Sequence, residues 1–174
     1  MSASRLVLVT GGARSGKSRF AERRIAELAP AGPWRYVATA EASDDEMRAR
    51  IAHHRARRGE TWRTIEASRA LADAVRAPAE AAVLVDCITI WLSNLMFDGK
   101  DDDALLAAVD EAAAAARTSG VPVVFVSNEV GAGIVPEHPL ARRFRDVAGW
   151  ANQRLAAACD EVVLVAAGLP LRLR

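Results

Sequence analysis

The 174 residues are enough for one domain with a buried core, and 51% apolar with 26% charged residues is typical of a folded soluble protein. The formal net charge of +1 excludes a strong field for attracting nucleic acid or an acidic membrane. The two cysteines form no Cys-x-x-Cys pair, and the longest apolar run near the N-terminus has four residues. These features predict a cytoplasmic protein with one domain (residues 1–174), no secretory leader and no nucleic-acid partner.

Short valine-rich runs alternate along the chain with longer helical patterns. Runs without a polar face are typical of strands that are covered on both sides. The predicted strands are residues 5–10, 35–39, 82–86, 121–127 and 161–166, with an edge strand at 171–174. The predicted helices are residues 17–29, 44–58, 68–76, 103–117 and 139–158. This alternation predicts an α/β fold with a mostly parallel central sheet and helices on both faces.

The stretch GGARSGKS, residues 11–18, lies between the first predicted strand and the first predicted helix. It matches the phosphate-binding pattern G-x-x-x-x-G-K-[ST] in full, so it predicts a P-loop NTPase fold. The glycines let successive N–H groups turn towards a phosphate, and the helix that follows adds its positive N-terminus. The nucleotide-binding residues predicted from this loop are Gly11, Gly12, Ala13, Arg14, Ser15, Gly16, Lys17 and Ser18.

Lys17 is one of two lysines in a chain with 21 arginines. A compact ammonium group fits over the loop to reach the β and γ phosphates, whereas a flat guanidinium is too broad for that space. Ser18 offers a hydroxyl to Mg²⁺. A chance glycine-rich turn is the alternative, and the scarcity of lysine argues against it.

Asp86 ends the valine-rich run AVLVD, residues 82–86. A carboxylate at the end of a second strand is the usual partner for the water shell of Mg²⁺ in P-loop enzymes. The alternative is that Asp86 caps a helix beginning at Cys87. Ser18 and Asp86 are the predicted metal-binding residues.

Two adjacent histidines, His53 and His54, occur in one predicted helix. At 100° per residue, His54 shares a stripe with Ile51, whereas His53 lies on the face of Arg50 and Arg57. Nearby guanidinium groups favour the neutral, nucleophilic imidazole and can also bind phosphate. This pattern favours His53 as a catalytic residue, although both histidines could be ordinary surface or packing groups.

From about residue 6 to the C-terminus, the chain resembles the bifunctional adenosylcobinamide kinase / adenosylcobinamide-phosphate guanylyltransferases of cobalamin biosynthesis. The glycine-rich loop alone would indicate only a superfamily. The paired histidines in DDEMRARIAHHR and the loop NEVGAGIVP are much more specific. The other matching stretches are WRTIEA, PEHPLARRFRDVAGWANQRLA and DEVVLVAAGLPLRLR.

The resemblance implies two reactions on one chain. The kinase reaction phosphorylates the aminopropanol hydroxyl of adenosylcobinamide with ATP or GTP. The transferase reaction moves GMP from GTP onto a histidine and then to adenosylcobinamide phosphate, giving adenosyl-GDP-cobinamide. The histidine that carries GMP in the family corresponds to His53. The expected cofactor of the enzyme is Mg²⁺. The resemblance also implies a homotrimer.

The resemblance also implies contacts with the nucleotide outside the glycine-rich loop. These map to Ala38, Thr39, Ala40, His54, Arg55, Ala56, Arg57, Glu66 and Asp86. Asn128 and Glu129 follow a predicted strand and should face the site, because ligands gather at the carboxyl ends of parallel strands. We expect the loop at residues 128–139 to contact the arm of the corrinoid substrate, with Asn128 and Glu129 as its substrate-binding residues. The alternative is a plain connecting loop.

Two other functions fit parts of the sequence. A P-loop small-molecule kinase without guanylyl transfer would use Lys17, Ser18 and Asp86 but form no histidine adduct. A nucleotide-dependent switch would bind GTP without a small-molecule substrate.

Overall fold

The computed structural model describes residues 5–41, 59–77 and 81–174, and their strands form one seven-stranded sheet. The strand order is β3-β2-β4-β5-β1-β6-β7, and all neighbouring strands are parallel except β6 and β7. The strands are β1 (Leu6–Gly11), β2 (Trp34–Ala38), β3 (Trp62–Glu66), β4 (Ala82–Asp86), β5 (Val123–Asn128), β6 (Glu161–Ala166) and β7 (Leu169–Arg172). The predicted mostly parallel sheet is therefore confirmed.

Helices cover both faces of this sheet and bury an apolar core on each. The described helices are α1 (Lys17–Leu28), α2 (Leu71–Arg76), α3 (Ile88–Phe97), α4 (Asp102–Thr118) and α5 (Pro139–Ala158). Successive residues of β1 point to opposite faces, so Val7 and Val9 pack on the α1 side while Leu6 and Leu8 pack on the side of α2 to α5. Each fully buried side chain of this kind contributes about 1.5–3 kcal/mol.

Most of the predicted elements agree with the structure to within two residues at each end. The helix predicted at 44–58 lies outside the described residues. The edge strand predicted at 171–174 is observed two residues earlier, at Leu169–Arg172. The reason is a tight hairpin after β6, in which Ala167 and Gly168 have φ values of 51° and 80°.

Two elements were missing from the sequence prediction, β3 and α3. The strand β3 is an edge strand with the sequence WRTIE, and its side chains are only partly buried or exposed. It therefore lacks the continuous apolar run that marks a central strand. The helix α3 begins with Ile-Thr-Ile and is apolar on most of its surface, because it is buried in the core of one sheet face. A short apolar run of this kind has no clear helical period.

None of the helices among the described residues combines the length and apolar character needed to cross a lipid bilayer.

The buried carboxylate of Glu161, the first residue of β6, links α1 to the residue that precedes β1. Glu161 is 6% exposed, and its Oε2 atom accepts hydrogen bonds from Arg5 at 2.8 Å and from Arg24 at 2.6 Å. Burial alone would raise the pKa of Glu161, but the hydrogen bonds from the two guanidinium groups outweigh burial and lower it. The ionised form of Glu161 therefore stabilises the folded protein.

We expect the substitution Glu161→Gln to lower the free energy of unfolding by about 1.5–3 kcal/mol at neutral pH. Since the pKa of Glu161 is lower in the folded state, this contribution is present above the unfolded value near 4.5 and is lost as the pH falls through the folded value. Thermal unfolding of both proteins between pH 7 and pH 3 tests this, with Glu111→Gln as an exposed control. A difference that stays constant across this range would contradict the expectation.

Candidate active site

Five parallel strands bring most of the predicted site residues to one edge of the sheet. Gly11 pairs with Asn128 at the ends of β1 and β5. Ala38, at the end of β2, pairs with both Glu66 of β3 and Asp86 of β4. The glycine-rich loop, Thr39, Ala40 and Glu129 follow directly on these ends. This carboxyl edge is where open α/β sheets bind their ligands.

The glycine-rich loop turns tightly between β1 and α1. Gly16 has a φ of 93°, a conformation that favours glycine, and the N–H of Phe20 donates to its carbonyl at 3.0 Å as the helix begins. Lys17 is 9% exposed, and its Nζ atom donates to the carbonyl of Gly12 at 3.1 Å. The lysine side chain thus bends back over the loop, with the N-terminus of α1 beneath it.

The hairpin between β6 and β7 supports the loop from outside. The N–H of Gly168 donates to the carbonyl of Ser15 at 2.8 Å. A Cβ atom on Gly11 would lie 2.4 Å from the carbonyl oxygen of Val165, and one on Gly16 would lie 3.3 Å from the Cα of Gly168. The glycines therefore serve the close approach of this hairpin as well as the turn itself. This contact between the hairpin and the loop was not among the features predicted from the sequence.

The hydroxyl group of Ser15 is buried and has no hydrogen-bond partner among the described residues. Buried polar groups nearly always have a partner, which can be a bound ligand. An unsatisfied donor within a loop of this type fits a phosphate oxygen. This observation supports the prediction that the loop holds a nucleotide.

Asp86 is partly buried at the end of β4, and its Oδ2 atom accepts a hydrogen bond from the hydroxyl of Tyr36 at 3.0 Å. The alternative helix-capping role for Asp86 is wrong, because the N-cap residue of α3 is Cys87, whose side chain makes no capping hydrogen bond. Ser18 is partly buried in the first turn of α1. A hydroxyl and a carboxylate are oxygen donors of the kind that Mg²⁺ prefers, so these residues fit the predicted metal.

Thr39 is fully buried and fixes the chain just after Asp86. Its hydroxyl donates to the carbonyl of Cys87 and accepts from the N–H of Cys87, both at 2.8 Å. The side chain of Asn94 in turn donates to the carbonyl of Thr39 at 2.9 Å. These contacts make the ends of β2 and β4 one rigid unit.

Burial raises the pKa of the Cys87 thiol to about 11. This cysteine is therefore neutral and is a poor nucleophile.

The end of β5 is held by side chains from two helices. Asn128 donates to the hydroxyl of Thr89 at 2.6 Å, and Asn152 donates to the carbonyl of Asn128 at 3.1 Å. The N–H of Glu129 donates to the carbonyl of Gly11 at 3.0 Å, which ties this loop to the glycine-rich loop. The Oε1 atom of Glu129 accepts from the N–H of Gly131 at 2.6 Å. Asn128 and Glu129 thus lie beside the glycine-rich loop.

Five predicted site residues lie outside the described residues: His53, His54, Arg55, Ala56 and Arg57. The described chain stops at Glu41, three residues past the end of β2, and resumes at Gly59. Glu41 is ion-paired with Arg69, which also bonds Asp98 at the end of α3. Glu41 therefore lies at the carboxyl edge of the sheet, the edge that holds the glycine-rich loop.

Comparison with known families decides among the functions that such a site allows. The family model of cobinamide kinase / cobinamide phosphate guanyltransferase matches residues 7–173. This chain belongs to that family. The match spans the glycine-rich loop, the paired histidines and the loop after β5.

Curated members of the cobinamide kinase / guanyltransferase family resemble the chain over nearly its whole length. The bifunctional adenosylcobalamin biosynthesis protein CobU of Escherichia coli is 46% identical, with 97% of this chain and 99% of that protein covered. The protein CobP of Pseudomonas aeruginosa, which has the same descriptive name, is 47% identical, with 96% of each chain covered. CobU of Salmonella typhimurium is 46% identical, with 97% of this chain and 99% of that protein covered.

The fold of this family member also occurs in distant proteins. The crystal structure of a KaiC-like protein from Pyrococcus horikoshii superposes with a TM-score of 0.54 at 14% identity, and the match covers 94% of this chain and 72% of that one. This likeness concerns the fold alone. Together with the glycine-rich loop between β1 and α1, it confirms the predicted P-loop NTPase fold.

Proposed function

We propose that this protein is a bifunctional enzyme that phosphorylates adenosylcobinamide and then transfers GMP to the product. The observation that carries the proposal is the convergence of the lysine-bearing loop, Asp86 and Asn128 at one sheet edge. Membership of the cobinamide kinase / guanyltransferase family supplies the substrate class. The printed names of the bifunctional relatives support the assignment of both activities to one chain.

In the kinase reaction, the main-chain amides of residues 11–18 and the ammonium group of Lys17 hold the β and γ phosphates of ATP or GTP. Ser18 and Asp86 would hold Mg²⁺, which when bound would neutralise part of the negative charge of the triphosphate. The aminopropanol hydroxyl attacks the γ phosphorus, the bond to the bridging oxygen breaks, ADP or GDP leaves, and the hydroxyl proton passes to solvent. The residues therefore act by positioning and by charge stabilisation.

In the transferase reaction, His53 is the nucleophile. A neutral imidazole nitrogen attacks the α phosphorus of GTP, a P–N bond forms and pyrophosphate leaves. A phosphate oxygen of adenosylcobinamide phosphate then attacks the same phosphorus, the P–N bond breaks and the imidazole is regenerated. His54, Arg55, Ala56 and Arg57, together with Ala38, Thr39, Ala40 and Glu66, contact the guanine nucleotide in this proposal.

The corrinoid substrate binds at the loop that follows β5, where Asn128 and Glu129 lie beside the glycine-rich loop. Exposed apolar side chains in this loop support a large, partly apolar ligand, since Ile134 is 97% exposed and Val135 is 58% exposed. Arg142 braces the end of the same loop by donating to the carbonyls of Pro136 and Glu137. The loop is thus held in shape while its apolar side chains stay accessible.

We further propose that the enzyme is a cytoplasmic homotrimer, as the family resemblance implies. The edge strand β7 supports a subunit contact, because its residues Leu169 and Leu171, and Leu173 just after it, are each more than half exposed. Exposed apolar residues on a sheet edge are typical of surfaces that another chain covers.

The histidine adduct is tested with GTP labelled at the α phosphate. The wild-type protein should acquire a label that is stable in base and labile in acid, and mass spectrometry should locate it on His53. We expect His53→Ala to abolish the label and the transfer of GMP while retaining phosphorylation of cobinamide. The third histidine of the chain, His138, is exposed and is not among the predicted site residues, so His138→Ala is the matched control and should leave the adduct in place.

The outcomes separate the proposed function from its alternative. Phosphorylation of cobinamide by a wild-type protein that never acquires the label would favour a kinase without guanylyl transfer. A label that persists in His53→Ala would assign the nucleophile to another residue.

A further inference from the structure

The phenol of Tyr36, on strand β2, contacts Asp86, one of the two candidate metal-binding residues. Its hydroxyl donates to Oδ2 of Asp86 at 3.0 Å, and the residue is 6% exposed. We propose that Tyr36 is a positioning residue, which holds the Asp86 carboxylate in the orientation that binds the metal–nucleotide complex. This inference rests on the proposed function, because it concerns the cation that accompanies the nucleotide.

The backbone determines which side chain can reach the carboxylate. Tyr36 is on β2 and is paired in register with Leu84 of β4, two residues before Asp86. Residues two apart on a strand face the same side of the sheet, so Leu84 and Asp86 share the face that Tyr36 occupies. That face is the one packed against α1, the helix that begins with Lys17.

Aromatic packing fixes the ring of Tyr36 from behind. The ring meets Trp62 edge-on, with centroids 6.2 Å apart and an angle of 81° between the planes. Trp62 in turn packs on Trp34 at 5.1 Å, and the indole N–H of Trp34 donates to the carbonyl of Ala29 at 2.7 Å. The position of the hydroxyl is therefore set by a rigid cluster, which is the condition for one side chain to orient another.

In the described part of the chain, Tyr36 makes the one side-chain hydrogen bond that the Asp86 carboxylate accepts. A carboxylate without such a bond rotates more freely, and the oxygen offered to the cation varies between conformers. Partners of this kind typically change metal affinity by about 10- to 100-fold when they are removed. A purely structural hydroxyl would affect folding and leave the metal affinity unchanged.

The direct test is a titration with Mn²⁺ in place of Mg²⁺, followed by electron paramagnetic resonance in the presence of the GTP analogue GMPPNP. We expect Tyr36→Phe, which keeps the packed ring, to weaken Mn²⁺ binding about 10- to 100-fold. Affinity for GMPPNP measured in EDTA should not change. The matched control is Thr64→Val, because Thr64 is the register partner of Tyr36 on β3. This substitution also removes one hydroxyl group, but not one that bonds Asp86.

The kinase kinetics and a double substitution provide independent readouts. In Tyr36→Phe the Mg²⁺ concentration for half-maximal rate should rise, while kcat at saturating Mg²⁺ should approach the wild-type value. In an Asp86→Ala background, Tyr36→Phe should cause no further loss of Mn²⁺ affinity, because the interaction has already been removed. A loss of the same size in both backgrounds would overturn the proposal.

A spectroscopic measurement avoids substitution of the tyrosine. Tyr36 is the only tyrosine in the chain, so labelling with 3-fluorotyrosine gives a single ¹⁹F resonance at this position. We expect Asp86→Ala to shift this resonance, and Mg²⁺ to shift it in the wild-type complex with GMPPNP. A resonance that responds to neither change, or equal Mn²⁺ affinities of wild type and Tyr36→Phe, would overturn the proposal. A wild-type protein that binds no Mn²⁺–GMPPNP at all would overturn the proposed function as well.

Discussion

Replacing Lys17 with arginine is expected to lower kcat of the kinase reaction about 100- to 1000-fold, although the substitution preserves the charge. Lys17 is 9% exposed, and its side chain curves back over the loop to the carbonyl of Gly12. A planar guanidinium is broader than an ammonium group and cannot follow the same path without displacing the loop. The transferase reaction should be lowered as well, because in the proposed function the same loop holds the phosphates of GTP.

The chain offers a matched control for this substitution in its only other lysine. Lys100 is exposed after α3, so Lys100→Arg should retain both activities. The measurement is kcat for cobinamide phosphorylation and the rate of adduct formation from labelled GTP. If Lys17→Arg turned over at the wild-type rate, the ammonium group would not be needed at this position and phosphate binding by the loop would have to be reassigned.

Much of the fold could be predicted from the sequence because local patterns determine it. The strands β4 and β6 match their predictions at both ends, since each is an unbroken apolar run. The edge strand β3 was missed because its burial is partial, and α3 was missed because six of its ten residues are buried and its apolar residues show no clear helical period. Both errors have the same physical origin: the hydrophobic pattern reports how a segment is covered, and only indirectly its backbone conformation.

The candidate site could be predicted from the sequence where its residues lie in one short motif, as in residues 11–18. Its supporting contacts were not predictable, because they join distant parts of the chain. The hydroxyl of Tyr36 donates to the carboxylate of Asp86, 50 residues away in the sequence. The hydroxyl of Thr39 donates to the carbonyl of Cys87, 48 residues away. The sequence of β2 did contain one signal for this contact. Tyr36 and Ala38 are two residues apart, so their side chains lie on the same face of the sheet, and Ala38 is the register partner of Asp86.

The hairpin after β6 connects the C-terminal part of the chain to the glycine-rich loop. It donates a main-chain hydrogen bond to Ser15, and the carbonyl of Val165 lies where a side chain on Gly11 would begin. The edge strand β7 begins directly after this turn. A contact that displaced β7 would therefore also displace the glycine-rich loop, because the turn at Ala167 and Gly168 is bonded to Ser15.

This packing gives a second large expected effect, from the substitution Gly11→Ala. The added methyl group would lie 2.4 Å from the carbonyl oxygen of Val165 and 2.7 Å from the hydroxyl oxygen of Ser15. Main-chain atoms cannot rotate away, so the hairpin or the loop has to move. Overpacking of this kind costs about 1–3 kcal/mol. In a chain of this size, each kcal/mol corresponds to about 2–4 °C in Tm.

The same movement should impair catalysis more than stability, because a displacement of about 1 Å in a catalytic loop can lower a rate about 100-fold. The measurements are Tm, the affinity for GMPPNP and kcat of the kinase reaction. Gly12→Ala is the matched control for stability, because a Cβ atom on Gly12 meets nothing within 4 Å. If Gly11→Ala kept the Tm and the nucleotide affinity of the wild-type protein, the hairpin would not constrain the loop. The tight packing between Val165 and Gly11 would then have no bearing on phosphate binding.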